Sequence, residues 1–143
     1  MPALVLIGLL AGALVGCTSI KLISDYDEQI DVGATRLARD MDRFLLKLED
    51  KADTPKAEYE ANKEFYLDYE VELRSLLLRA RSQPKNSQTE EQLVRMLDSL
   101  EALKTVHELG PLPEEQIDVT RDLFAQAWQA IITLEMAKKR GEN

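Results

Sequence analysis

Past residue 24, apolar side chains recur at alternating intervals of three and four, and four successive stretches each carry one such line. A helix that turns once in 3.6 residues collects positions spaced this way on a single face. The first line is Ile30, Ala34, Leu37, Met41, Phe44 and Leu48; the second runs through Tyr59, Asn62, Tyr66, Tyr69, Leu73, Leu76 and Ala80. Leu93, Met96, Leu100, Leu103 and His107 make the third, and Ile117, Phe124, Ala127, Trp128, Ile131 and Leu134 the fourth. No stretch alternates with the period of two that a half-buried strand shows, so the fold class is all-α.

Glycine and proline fall almost entirely between these lines, as helix boundaries should; Gly33 is the exception. Ser24 is expected to cap the first helix, whose opening turn carries Asp27 and Glu28 and which runs to about Lys51. Thr54-Pro55 predicts the start of the second, with threonine as cap and proline at the first helical position. Ser82 to Ser87 connects to the third helix, for which Thr89 and Gln92 have the spacing of a capping box. Gly110-Pro111 stops that helix, Pro113-Glu114-Glu115 opens the fourth, and Lys138-Lys139-Arg140 closes it before Gly141. Helices of about 25 residues, each roughly 37 Å long, joined by short connections favour antiparallel neighbours. The expectation is an up-down-up-down four-helix bundle over residues 25–140, with a spectrin-like or solenoid arrangement of the same helices as the alternative.

The start of the chain is different in kind. Ala3 to Gly16 is an uncharged run of 14 residues, short for a membrane span but of the right length for the apolar region of an export signal. It follows Met1-Pro2 directly, without the positive charge that usually opens such a signal. The run ends at Leu14-Val15-Gly16-Cys17, which resembles the lipobox of bacterial lipoproteins. That resemblance implies a removable signal peptide at residues 1–16 and a lipidated tether at 17–24, with Cys17 carrying fatty chains such as palmitate. Several chains together anchor a protein durably, where one, at about 0.8 kcal/mol per buried methylene, holds it only marginally. By similarity to the sorting rule of enterobacterial lipoproteins, Thr18 after the cysteine points to the outer membrane, on its periplasmic face. The stretch Ile20 to Asp27 and the helices after it look like small lipoproteins of Gram-negative bacteria, a resemblance that implies a location and no activity.

Charge and residue counts narrow the chemistry. Every charged residue follows Ile20, and the formal net charge of -8 argues against nucleic acid as a partner, since that needs a dense cationic footprint. The single cysteine, Cys17, rules out an intrachain disulfide and any thiolate-based metal site in the body. The single histidine, His107, has Lys104 three residues before it, where a di-iron bundle needs Glu-x-x-His on two helices. Haem ligation by His107 with a methionine is disfavoured by level: Met136 is near the opposite end, and Met41 misses by roughly 10 Å at 1.5 Å per residue. No strained nucleophile turn or glycine-rich loop accompanies His107. No catalytic residue, metal ligand or cofactor is therefore expected.

What remains is a polar set at the bundle end far from Cys17, where Asn62, Tyr66, His107 and Thr120 should approach one another. They form either a small ligand or partner site or a group of core hydrogen bonds that fixes helix register. His107 also has a plainer role open to it, that of a last-turn residue complementing the helix C-terminus. Tyr59, Phe65, Tyr66 and Tyr69 read equally as a binding patch or as core. Arg79, Arg81, Lys85, Lys138, Lys139 and Arg140 return to the Cys17 end, where they would touch anionic head groups or simply offset helix dipoles. Asp25, Asp27, Glu90 and Glu91 dilute that patch. The functional expectation is a membrane-anchored periplasmic module that binds a protein or the cell envelope and is not an enzyme. The alternative is a binder of a small ligand (lipid, haem or metal) in a cavity between helices.

Overall fold

The computed structural model describes residues 22–142, which form four helices and no strand. Helix α1 spans Glu28–Asp50, α2 Tyr59–Arg81, α3 Ser87–Glu108 and α4 Glu114–Gly141, with a single 3-10 turn at Pro55–Ala57 ahead of α2. Short connections force each helix to run back along its predecessor, and the four close into a ring. In it α1 packs most extensively on α4 and α2 on α3, while α1 with α2 and α3 with α4 touch less. This is the predicted all-α bundle.

The core is built from the lines read in the sequence. Ile30, Ala34, Leu37, Met41, Phe44 and Leu48 are all buried, as are Leu73, Leu76 and Ala80, and Leu93, Met96, Leu100 and Leu103. The fourth line departs from expectation at its far end. Ile117, Phe124, Trp128 and Ile131 are buried, but Leu134 is half-buried, and the next inward positions are held by Glu135 and Lys138. Midway along the bundle the Trp128 indole Nε1 donates to the Tyr69 hydroxyl at 2.9 Å, and that hydroxyl donates to the Leu37 carbonyl at 3.0 Å. One chain of two hydrogen bonds thus joins α4, α2 and α1 across an otherwise apolar layer.

Gly33 breaks the sequence pattern for a packing reason. A Cβ there would lie 2.6 Å from Leu76 Cδ2, so its absence lets α1 and α2 approach. At the end of α3, Gly110 has φ +153, a conformation that side-chain-bearing residues rarely adopt, and it turns the chain toward Pro111.

Three predicted caps are corrected. The cap of α1 is Asp27, whose carboxylate accepts from the backbone amides of Gln29 at 2.8 Å and Ile30 at 3.4 Å; Ser24 is turned to Asn86 instead. Thr54 caps no α-helix, because Pro55 opens only the 3-10 turn and the Thr54 hydroxyl donates back to the Lys51 carbonyl. The Thr89 and Gln92 capping box does not form, because α3 already begins at Ser87 and Thr89 is buried against α4.

Candidate functional site

At the end of the bundle away from Leu22, His107 is fully buried. Its Nε2 lies 2.7 Å from the Ala57 carbonyl oxygen and its Nδ1 2.8 Å from the Tyr66 hydroxyl. A carbonyl oxygen only accepts, so in the neutral ring Nε2 carries the proton and Nδ1 accepts from Tyr66. The imidazole thereby joins α3 to α2 and to the 3-10 turn, which is a different role from complementing its own helix end. Phe44 meets the Tyr66 ring edge-on at 5.4 Å and stacks on Phe65 at 3.7 Å, and Tyr59 stands edge-on to His107 at 6.0 Å. Burial, with smaller contributions from Tyr59 and Glu108, pushes the Tyr66 hydroxyl well above the usual tyrosine range and keeps it a donor.

Of the four polar residues expected here, the structure brings Tyr66 and His107 together. Asn62 sits apart, its amide donating to the carbonyls of Lys56 at 2.8 Å and Glu58 at 2.7 Å, which closes the turn leading into α2. Thr120 lies on α4 in a groove facing α3. With both ring nitrogens engaged and the ring sealed by aromatics, His107 acts as a joint and offers no free base.

The opposite end holds a polar network that sequence reasoning missed. The Lys138 ammonium, buried between helices, donates to Glu135 Oε1 at 2.6 Å, Asn86 Oδ1 at 2.6 Å and Thr89 Oγ1 at 2.9 Å. Thr89 also donates to Glu135 Oε1 at 3.0 Å, and the Asp27 backbone amide reaches Glu135 Oε2 at 3.4 Å. Ser24 donates to Asn86 Oδ1 at 2.8 Å while its backbone amide donates to the Lys85 carbonyl at 3.0 Å. Arg79 Nε and the Gln83 amide both donate to Asp27 Oδ2, the former at 2.7 Å. All four helices and the segment before α1 therefore meet in one satisfied cluster.

That arrangement changes the reading of the cations at this end. Lys138 is enclosed and cannot reach a head group, Arg79 is paired with Asp27, and Arg81 with Glu90 at 2.8 Å. Lys139 lies over the Tyr26 ring, 4.9 Å from its centre. The Tyr26 hydroxyl donates to Asp31 at 2.8 Å, and chiefly for that reason its pKa is pushed up to about 12.

Two grooves merit comparison. The larger, about 630 Å³ between α1 and α2, is floored by Gly33 and Leu76, and the guanidiniums on its rim, Arg36 and Arg79, are already paired with Glu72 and Asp27. The other, about 230 Å³ between α3 and α4, is lined by Ala102, Val106, Val119, Thr120, Leu123 and Phe124 among others, and no charged residue lines it. Val106, Val119 and Leu123 are 37%, 62% and 49% exposed, so this groove presents accessible apolar side chains. Among the described residues no helix is long and apolar enough to cross a membrane. Cys17 and residues 1–16, where an export signal is expected, lie outside the described residues. Comparison with protein families, with curated proteins and with solved structures yields no match.

Proposed function

We propose that the chain is a lipid-anchored periplasmic module that works by binding protein through the α3 and α4 face, without catalysis. One observation carries the binding half of this reading. In a chain with 31% charged residues, the α3 and α4 groove has none, and three of its apolar side chains stand open to solvent. Apolar side chains scattered singly on a surface are ordinary, whereas a contiguous set around a concavity marks a contact site. The doubly engaged His107 supports the non-catalytic half. The anchoring half rests on Leu14-Val15-Gly16-Cys17 and its resemblance to a lipobox.

Each half has its own test. The full-length chain expressed in a Gram-negative bacterium should incorporate labelled palmitate, and Cys17→Ala should abolish the label and leave the leader uncleaved. Unchanged labelling would refute the anchor. A photo-crosslinking phenylalanine in place of Val119 should capture protein in the cell, whereas the same group in place of Leu67, an exposed apolar position on α2, should not. No capture at 119, or equal capture at both positions, would remove the case for this face.

A further inference from the structure

Charge is distributed unevenly along the bundle axis. At the end away from Leu22, residues 49–60 and 108–115 hold eight carboxylates against the ammonium groups of Lys51 and Lys56, with Arg121 reaching up to Glu49. At the Leu22 end, residues 22–28, 79–91 and 135–142 hold seven carboxylates and six cations. Several of these pair with each other, Arg79 with Asp27, Arg81 with Glu90 and Lys138 with Glu135. One end is therefore close to neutral, and most of the formal net charge of -8 gathers at the other.

The chain enters the bundle at the neutral end. The Ser24 amide and hydroxyl are held by Lys85 and Asn86, and the Tyr26 amide by Glu142, so the entry point is fixed to the body. Seven peptide steps separate Cys17 from Ser24, a reach of at most about 24 Å at roughly 3.4 Å per step. Leu22, 82% exposed, and Ile23 add apolar surface beside that point.

From these features we infer that the bundle stands end-on to an anionic lipid surface. The segment before α1, the α2 to α3 turn and the close of α4 lie against the head groups, and the acid-rich end points outward. The inference rests on the anchor proposed above and names the face that the anchor brings to the bilayer. The tether decides which end is near, but its reach would also let the bundle lie on its side. Charge decides between the two postures. The field of an anionic surface decays over about 10 Å in about 0.1 M salt. In the standing posture the acid-rich end is about 32 Å higher than the turn, the rise of α3 from Gln88 to Leu109, and clear of that field. Lying down returns its carboxylates to the field. No cation at the Leu22 end has to leave its partner, because a near-neutral face is the one least repelled. The posture also leaves the α3 and α4 groove open at the side, where a protein partner can reach it.

The test uses the full-length chain purified with its lipid and reconstituted in vesicles of phosphatidylethanolamine and phosphatidylglycerol. A donor dye is placed on one introduced thiol, from Gln88→Cys, Leu67→Cys, Ala130→Cys or Leu109→Cys, and acceptor dyes on the head groups. Energy transfer should be strongest at 88, intermediate at 67 and 130, and weakest at 109, with 88 and 109 differing by about 30 Å in height. Asp50→Lys, Glu58→Lys and Glu115→Lys combined should raise transfer at 109 on these vesicles and leave it unchanged on phosphatidylcholine. Transfer at 67, 130 or 109 as strong as at 88 would overturn the end-on posture, as would a triple variant that behaves like the parent. A chain that does not float with the vesicles would instead overturn the anchor, and this inference with it.

Discussion

Lys138 has three ammonium protons and three acceptors, and Glu135 receives donors at both of its oxygens. Taking such a pair out of water costs several kcal/mol per ion, which close and complete hydrogen bonding offsets. Removing one member leaves the other charged and stranded. Glu135→Leu should therefore lower the unfolding free energy by about 3–5 kcal/mol, read from urea titration. Adding Lys138→Met to Glu135→Leu should recover most of that loss, since a buried ion pair and a well-packed apolar pair of similar volume are nearly equal in stability. A double variant as unstable as the single one would show that Asn86 and Thr89 depend on the lysine as much as the glutamate does.

The helices were legible in the sequence where their inward positions are apolar, and illegible where those positions turn polar. The apolar members of the fourth line end at Leu134, yet stepping on from Ile131 by four and then three gives Glu135 and Lys138. Stepping back from Leu93 by four and three gives Thr89 and Asn86, and stepping back twice by three from Ile30 gives Asp27 and Ser24. Spacing alone would have placed this cluster inside. Its charge hid it, because Glu and Lys three residues apart on a helix ordinarily form a solvent-facing pair. The caps depart from expectation for a related reason: Ser24 and Thr89 carry the right chemistry for a helix start, but their hydroxyls are taken by Asn86 ahead of α3 and by Glu135 on α4. At the distal end the pairing of Tyr66 with His107 followed from level and face, while Asn62 turned back to its own turn and Thr120 to the α3 and α4 groove. Asp27→Ala removes the cap of α1 and the acceptor of Arg79 and Gln83, and should cost about 2–3 kcal/mol, with Asp27→Asn costing roughly half. Thermal melts of both variants decide it, and equal losses would mean that the ion pair, and not the cap, dominates.

For the molecule as a whole, three levels of hydrogen bonding thread one apolar interior: the ionic cluster, the Trp128 and Tyr69 pair, and the Tyr66 and His107 pair. Two of these levels rest on neutral tyrosines held above their usual range. Burial raises Tyr66, and burial outweighs the opposing donation from Trp128 at Tyr69. In the unfolded chain both ionise near their ordinary value of 10.0. Above that pH the unfolded state has lost protons that the folded state retains, so stability falls as pH rises. The stabilisation is fully present below pH 10 and should be lost progressively above it. Urea midpoints measured from pH 8 to 12 should fall over that window, and the combined Tyr66→Phe and Tyr69→Phe variant, though less stable at pH 8, should show a shallower fall. An identical slope in the variant would assign the alkaline loss to other groups.

The lock on Ser24 and Tyr26 has a mechanical consequence. The Ser24 amide and hydroxyl are held by the turn between α2 and α3, and the Tyr26 amide donates to Glu142 at 2.6 Å just past the end of α4. A pull arriving from the residues ahead of Leu22 thus meets a knot shared by several helix ends before it reaches α1. Tension applied there loads these bonds together, and the helix does not peel away one turn at a time. In a single-molecule stretching experiment, Ser24→Ala should lower the rupture force for an N-terminal grip and leave that for a grip in the α1 to α2 connection unchanged.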